Sequence, residues 1–286
     1  MGWRPQRLAG TSSVTRRHEG RSLRIQELRR SGELFRNIVR RELKGRYKRS
    51  RLGLLWSLVH PLVSMVIYAA VFRYLLRLQP APGDPSGLEV FALWVLCGLL
   101  PWLFFANTTS LGMRAIVDNE GLVKKVYFPR ELLVLGFVGA QTLTFLLELT
   151  LLCIVLLLAG NMVLPWIPVL LLLVALLVVF SSGIALILAS CFVYFRDLNY
   201  LWSIATQLGF FAAPVVYQID LLPTRLQTVV RLNPLTAFIN SIRNIVYDLR
   251  FPELVDVLAA AAWSATALVV GVWTFSRLAP RFAEEL

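Results

Sequence analysis

The sequence predicts an all-α integral membrane protein: six transmembrane helices, an N-terminal amphipathic interface helix and an external re-entrant helical hairpin. Three observations support this fold class. Apolar residues make up 57% of the 286 residues and charged residues only 16%, whereas an ordinary soluble domain carries about 25% charged residues. The apolar residues are gathered into six long runs. The formal net charge of +12 is confined to one end of the chain.

This basic end lies directly before the first apolar run. Residues 1–52 hold 16 of the 29 Lys and Arg residues and 4 of the 17 acidic residues, so they carry the whole excess charge of +12. Such a distribution is typical of the cytoplasmic side of a membrane protein. A nucleic-acid-binding arm is the other interpretation of the charge, but the chain has no folded basic domain to support it. We therefore expect no nucleic-acid partner.

The basic end divides into two parts. Residues 1–30 are polar and Arg-rich and are predicted to be a disordered tail. Residues 31–52 are predicted to form the amphipathic interface helix, because apolar residues recur there at helical spacing, at Leu34, Phe35, Ile38, Val39, Leu43 and Tyr47. The intervening positions are mostly Arg, Lys and Asn, which fits a helix lying on an anionic membrane surface. Residues 53–286 are then the transmembrane domain.

A membrane-spanning helix needs roughly 20 mostly apolar residues. The six predicted spans are Leu54–Leu76, Glu89–Ser110, Leu132–Ala159, Trp166–Tyr194, Leu201–Tyr217 and Leu254–Leu278. Segments 111–131 and 195–200 carry five cations, whereas the opposite loops 77–88 and 160–165 carry Arg77 alone. The positive-inside rule therefore places both termini in the cytoplasm.

The long segment before the last span predicts the external hairpin, over about residues 218–250. Asn233 is a good N-cap, and Pro234 fits the first helical position. Apolar residues then follow helical spacing on one face, at Leu235, Phe238, Ile239, Ile242, Ile245, Val246 and Leu249. The polar residues Asn240, Ser241, Arg243, Asn244 and Asp248 fall on the rest of the helix. We expect this helix to lie in or dip into the outer leaflet, with residues 221–232 as a shorter partner.

Catalytic chemistry is not predicted. The sequence has no phosphate-binding G-x-x-x-x-G-K-[ST] loop, no G-x-S-x-G elbow and no H-E-x-x-H motif. His18 and His60 are its only histidines, and its three cysteines lie inside apolar runs without metal-ligand spacing. We therefore expect a chain that is not an enzyme and that binds no metal or cofactor.

Two polar side chains fall inside the third predicted span. Glu148 lies near its middle, where a carboxylate costs several kcal/mol unless it is protonated, paired or facing a cavity. Gln141 lies two turns earlier, near the same face. A functional role and a structural hydrogen bond to a neighbouring helix both remain open for Glu148.

Five segments resemble type-2 ABC transporter permeases that export polysaccharides and polyol phosphates, the group of the Wzm O-antigen permeases and TagG teichoic-acid permeases. They are LFRNIVRRELKGRYKRSRLGLLWSLVHPL (34–62), KKVYFPRELL (124–133), YFRDLNYLW (194–202), FFAAPVVYQIDLLP (210–223) and RLNPLTAF (231–238). The resemblance runs in order over about residues 30–280.

The resemblance implies a homodimer in the bacterial inner (plasma) membrane, with two cytoplasmic ABC ATPase subunits, similar to Wzt and TagH, that bind ATP and Mg. It implies export of a lipid-linked polysaccharide such as an O-antigen, a teichoic acid or a galactan. It also implies that 33–48 is an interface helix and that 218–250 is the external gate. A cytoplasmic segment would couple to the ATPase through Asp118, Glu120, Lys124, Lys125 and Arg130.

Aromatic residues and basic residues then suggest further site hypotheses. Aromatic side chains in or near the spans either form an ordinary membrane belt or line a path along which sugar rings slide: Tyr68, Phe72, Trp94, Trp102, Phe105, Phe210, Phe211 and Tyr217. Four cations either attract the pyrophosphate of the lipid or simply hold the topology: Arg46, Lys48, Arg49 and Arg51.

Two alternative functions differ in substrate or in class. One is a type-2 permease for a small hydrophobic compound or drug, although the stretch VYFPRE and the aromatic-rich spans favour the glycan exporters. The other is a membrane-embedded lipid glycosyltransferase, which would need paired acids near a membrane face. The nearest acids, Asp118 with Glu120 and the single Asp220, lie in loops that already have other interpretations.

Overall fold

A computed structural model describes residues 32–45, 55–71, 82–126 and 128–286, and within these ranges every regular element is helical. The predicted disordered tail, residues 1–30, lies outside the described residues. Four described helices are long and apolar enough to cross a membrane: Phe91–Arg114, Glu131–Leu158, Leu164–Tyr194 and Leu254–Glu285. They confirm an all-helical membrane fold and the second, third, fourth and sixth predicted spans.

The helices are labelled in chain order. They are α1 (32–45), α2 (Leu55–Ala70), α3 (Phe91–Arg114), α4 (Glu120–Lys125), α5 (Glu131–Leu158), α6 (Ile167–Tyr194), α7 (Leu198–Ala212), α8 (Thr224–Leu232), α9 (Pro234–Arg243), α10 (Leu254–Leu278) and α11 (Phe282–Glu285). Short 3-10 turns lie at Val117–Asn119, Leu164–Trp166, Ile219–Leu221 and Ala279–Arg281, and a π-helical turn follows α9 at Asn244–Asp248.

The first and fifth predicted spans correspond to α2 and α7. These helices have 16 and 15 residues, fewer than the roughly 20 that a span perpendicular to the membrane needs. Leu54 and residues 72–76 of the first predicted span lie outside the described residues. The number of six spans therefore stays a prediction.

The connections between helices gather at two opposite ends of the bundle. At one end, which we call the hairpin end, lie 82–90, 159–166 and 213–253. The amide of Asn161 donates there to the carbonyls of Val246 (2.8 Å) and Tyr247 (3.0 Å), and the Tyr247 hydroxyl donates to the Leu88 carbonyl (2.6 Å). At the other end, the α4 end, lie 115–130, 194–197 and 279–286, where Arg130 donates to the Ala279 carbonyl. The loops that the charge distribution assigns to one side of the membrane therefore lie at the same end of the bundle.

Helix α3 is the centre of the bundle. Of its 24 residues, 17 are buried, and it packs against α2, α5, α6, α7 and α9. A helix that is apolar all round is expected to be buried in this way. Like α5, α6 and α10, α3 runs between the hairpin end and the α4 end, and it is the helix among them with the largest buried share.

The α6 and α10 backbones touch at two glycines. A Cβ on Gly183 would lie 2.3 Å from the carbonyl carbon and oxygen of Ala267, and a Cβ on Gly271 would lie 2.4 Å from the Gly183 carbonyl oxygen. One turn away, the Ser264 hydroxyl donates to the Leu176 carbonyl of α6 (2.8 Å). Small residues at helix–helix contacts let backbones approach closely in membranes, where burial of apolar side chains gives no net driving force.

The predicted amphipathic helix is present over 32–45, and residues 46–52 of the prediction lie outside the described residues. Its cationic side chains are exposed, as expected. Its apolar face, however, packs on α5: a Cβ on Gly136 would lie 2.4 Å from Ile38, and a Cβ on Gly139 would lie 2.9 Å from Phe35 and 3.1 Å from Val39. The two glycines open a groove on α5 that the periodicity of α1 alone does not reveal.

Replacing Gly183 with alanine is expected to force α6 and α10 apart. The added methyl group would meet backbone atoms, which cannot rotate away, and such overpacking typically costs about 1–3 kcal/mol. The free energy of unfolding, measured by denaturant titration in detergent micelles, should fall by that amount.

The matched control is Gly121→Ala in α4, where a Cβ would meet nothing within 4 Å. Alanine is favoured over glycine in a helix by about 0.5–1 kcal/mol, so this variant should be neutral or more stable. Equal stability of the two variants would contradict the close α6–α10 contact.

Candidate functional site

A cluster of six aromatic side chains occupies the interior of the bundle between α3, α6, α7 and α9. We call it the aromatic cluster: Trp102, Phe105, Phe180, Trp202, Phe210 and Phe238. Ring centroids are 5.8 Å apart for Trp102 and Phe210, and 5.6 Å apart for Phe105 and Phe180. These distances and tilts are typical of favourable aromatic packing, so the cluster fixes the relative positions of the four helices.

The predicted path aromatics divide between this interior and the surface. Trp94, Trp102, Phe105 and Phe210 are each at most 8% exposed, whereas Phe211 is 65% exposed. Tyr217 is half-buried, and its hydroxyl donates to the Phe211 carbonyl (3.0 Å). The Tyr68 side chain and Phe72 lie outside the description. The four buried residues serve packing within one chain, and the path-lining role of the set stays a prediction.

Glu148 lies in the wall of an apolar cavity of about 280 Å³ between α2, α3 and α5. Leucine, valine, alanine and methionine side chains form the rest of its described wall, so Glu148 is the single charged group there. Gln141 is buried but does not line this cavity. The structure therefore gives Glu148 a cavity and does not bring Gln141 into it, and the functional role of both residues stays a prediction.

The predicted coupling segment forms a protruding turn at the α4 end. Asp118, Glu120, Lys124 and Lys125 are exposed, while Val123 is buried beneath them. Arg41 of α1 donates to the Asn119 side-chain oxygen (2.8 Å), and α11 packs against α4. The segment is thus firmly attached to the bundle and presents charged groups outward. The four cations Arg46, Lys48, Arg49 and Arg51 lie outside the described residues.

Two helices, α8 and α9, joined by Asn233, occupy the segment of the predicted hairpin, and its external, re-entrant placement stays a prediction. As expected, the Asn233 side chain accepts a hydrogen bond from the Leu235 backbone N–H (3.0 Å), and Pro234 occupies the first helical position. The apolar face is fully buried from Leu235 to Val246. The α-helix ends earlier than its pattern predicts, at Arg243, and the π-helical turn Asn244–Asp248 follows it. Leu249 comes next and has φ of 62°. A residue in this left-handed conformation is a common way for a helix to end.

The polar face of α9 differs from the expectation, since Ser241, Arg243 and Asn244 are buried as well. The Arg243 guanidinium carbon lies 3.6 Å from the centroid of the Trp94 ring. Its two terminal nitrogens donate to the carbonyls of Pro214 (3.1 Å) and Val215 (3.0 Å). One side chain therefore holds together α9, α3 and the segment that follows α7.

A glycine makes this arrangement possible. A Cβ on Gly98 of α3 would lie 2.4 Å from a terminal nitrogen of Arg243 and 3.0 Å from the Val215 carbonyl oxygen. Burial lowers the pKa of Arg243 to about 10, so the guanidinium remains charged at neutral pH. Nearby, burial raises the pKa of the Asp248 carboxyl, while Arg250 opposes that shift from 3.7 Å away.

Sequence reasoning missed the roles of Arg243 and Gly98. The pattern put Arg243 on the polar face of an amphipathic helix, and an arginine on such a face is normally solvated. Its partners are backbone carbonyls 28 and 29 positions away, which helical periodicity does not reveal. In the sequence, the indication that this residue is buried was that it is the single arginine in the largely apolar stretch 233–249.

Comparison with known proteins gives one family and several relatives. The family described as ABC-2 type transporter matches residues 33–247. The chain is 32% identical to the O-antigen export system permease protein RfbA of Myxococcus xanthus over 92% of this chain and 98% of the relative. It is 30% identical to an RfbA protein of Klebsiella pneumoniae over 87% and 93%, respectively. It is 25% identical to the polysialic acid transport protein KpsM of Escherichia coli over 81% and 88%.

Replacing Arg243 with lysine is expected to destabilise the hairpin end. One ammonium group does not reproduce the planar guanidinium that stacks on Trp94 and reaches two carbonyls. The loss of one hydrogen bond to a charged group should lower the free energy of unfolding by about 2 kcal/mol. Denaturant titration in detergent micelles measures this free energy of unfolding.

Arg225→Lys is the matched control, because Arg225 lies on α8 of the same hairpin and is exposed. It should leave the free energy of unfolding within about 0.5 kcal/mol of the unsubstituted protein. A loss of equal size in both variants would show that Arg243 does not hold the hairpin end together.

Proposed function

The chain belongs to the ABC-2 type transporter family, and from that premise we propose that it is the permease subunit that exports a lipid-linked polysaccharide from the cytoplasm across a bacterial inner membrane. One observation carries this proposal: two proteins named as O-antigen export permeases align with 87% and 92% of the chain. A polysialic acid transport protein aligns over most of it. The relatives differ in the glycan named but share polysaccharide export.

The proposed topology has six spans, with α2 and α7 as the first and the fifth. The α4 end faces the cytoplasm with both termini, and the hairpin end faces outward. The charge of the two ends supports this orientation: the α4 end carries Arg114, Lys124, Lys125, Arg130, Arg196, Arg277 and Arg281, in keeping with the positive-inside rule. The arginines of the hairpin end are matched there by acidic residues.

ATP hydrolysis is proposed to come from a separate ATPase subunit, one for each permease of a homodimer. The α4 segment is the proposed docking point, since its charged side chains are exposed while Val123 anchors it. The 3-10 turn Val117–Asn119 joins it to the end of α3. A movement imposed on α4 by ATP binding therefore reaches α3 directly.

Movement of α3 is proposed to open the hairpin end. Helix α3 contributes Trp102 and Phe105 to the aromatic cluster and Trp94 to the contact with Arg243. Helix α9 of the hairpin packs against α3 and its Arg243 stacks on Trp94, so a shift of α3 would displace the hairpin with it. Two copies related by a two-fold axis enclose a path between them. Phe211 lies on an exposed apolar stripe of α7 formed with Leu201, Ile204 and Leu208, a surface available to that path.

Depletion of this chain in its native host should cause lipid-linked polysaccharide to accumulate on the cytoplasmic face of the inner membrane. Accessibility of the glycan to an impermeant probe in inside-out and right-side-out vesicles measures its sidedness. Re-expression of the unsubstituted chain should restore export. No accumulation, together with altered resistance to small amphiphiles, would contradict polysaccharide export and favour export of a small hydrophobic compound.

The double substitution Lys124→Glu and Lys125→Glu is expected to weaken ATPase docking. Reversing two exposed charges at the docking surface should lower the amount of ATPase recovered with the tagged permease by about tenfold, equivalent to about 1.4 kcal/mol. Affinity purification from native membranes, followed by measurement of ATP hydrolysis, gives this ratio.

The control is Arg225→Glu, which reverses an exposed charge at the opposite, hairpin end and should recover the ATPase in full. Unchanged recovery with the α4 double variant would place ATPase docking elsewhere on the chain.

A further inference from the structure

A polar cavity lies at the hairpin end and is distinct from the apolar cavity at Glu148. It measures about 310 Å³, is open on one side and is bordered by the segment before α3, the segment after α7, α8, α9, the π-helical turn and the start of α10. Small-molecule sites typically measure about 300–1,000 Å³. The cavity is therefore large enough for a small polar ligand.

Charged groups of both signs form its wall. Five carboxylates among the described residues line it: Asp84, Asp220, Asp248, Glu253 and Asp256. Three guanidinium groups accompany them: Arg231, Arg243 and Arg250. The described wall thus has a formal net charge of −2, and the side-chain amides of Gln218, Asn240 and Asn244 add neutral donors and acceptors.

One buried group in this wall has an unused hydrogen-bond donor. Arg243 is 7% exposed, and both of its terminal nitrogens are bonded to carbonyls, but its Nε has no hydrogen-bond partner among the described residues. A buried donor without a partner costs about 1–3 kcal/mol. This nitrogen is covered by protein, so the guanidinium groups that a ligand in the cavity would meet are those of Arg231 and Arg250, which are both exposed.

The chemistry of the wall selects among ligand classes. An anion such as a sialic acid or phosphate group would be repelled by the excess of carboxylates. Within the described residues, no three acidic, His or Cys side chains are grouped so that they could hold a metal ion. A sugar hydroxyl, in contrast, donates to a carboxylate and accepts from a guanidinium at the same time.

We infer that this cavity is an exit subsite that binds uncharged sugar residues of the exported polymer, and that the chain therefore exports a neutral rather than a polyanionic glycan. This inference rests on the proposed function and specifies its substrate class. It separates this chain from its relative named for polysialic acid, which is a polyanion. The hairpin that carries the subsite is also the proposed gate, so a sugar bound there sits where the polymer leaves the permease.

The test begins with the polymer that accumulates when the chain is depleted. Compositional analysis should find repeat units without carboxylate, phosphate or sulfate groups. An oligosaccharide released from that polymer is then titrated onto the permease–ATPase complex in lipid nanodiscs, and binding is followed by saturation-transfer NMR. The double variant Glu253→Gln and Asp256→Asn should bind it about tenfold more weakly, because two acceptors for hydroxyl groups become weaker.

Glu89→Gln is the matched control, since Glu89 is an exposed carboxylate of the same end that does not line the cavity; it should bind as the unsubstituted complex does. If the double variant unfolds at a lower temperature, Glu253→Gln alone replaces it, because that side chain is exposed. A polyanionic polymer, or equal binding by the cavity variants and the control, overturns the inference while leaving polysaccharide export intact. Absence of any accumulated polymer overturns the proposed function itself.

Discussion

The hairpin end depends on one buried guanidinium. Arg243 lies against Trp94 and donates to the carbonyls of Pro214 and Val215, so α9, α3 and the segment after α7 meet at this side chain. Burying a charge is costly unless it is paired and hydrogen-bonded, and here two carbonyl dipoles and an aromatic face supply the compensation. Gly98 leaves the space for it. The polar cavity and the proposed gate are built around this contact.

The rest of the bundle is held by a different kind of contact. In a membrane, apolar side chains gain little by leaving lipid for protein, so close packing and internal hydrogen bonds hold helices together. At Gly183 and Gly271, α6 and α10 meet backbone to backbone, whereas at Gly136 the α5 backbone is in contact with the Ile38 side chain of α1. These contacts form a close-packed frame beside α3, which packs on α6 through large rings that include the stacked pair Phe105 and Phe180.

The two ends of the molecule have different chemistry for different tasks. The α4 end presents exposed charges on a short, anchored helix, a surface suited to a soluble partner. The hairpin end encloses mixed charges in a cavity, an environment suited to hydroxyl groups. Helix α3 connects the two, because its 24 residues run between them and most are buried. The proposed coupling between a cytoplasmic ATPase and an outward-facing gate would use this connection.

The all-helical class, four of the spans, the cap of α9 and the family follow from the sequence, because hydropathy, charge bias and capping are local properties of the chain. The helical pattern of α9 is local in the same way. The tertiary structure alone decided that Arg243 is buried, that Gly183 touches α10, and that carboxylates from four separate segments meet in one cavity. Helical periodicity ranks the faces of a helix by polarity, but which face is covered depends on neighbours far along the chain. The polar face of α9 is buried because carbonyl groups and an aromatic ring from other segments interact with its side chain Arg243.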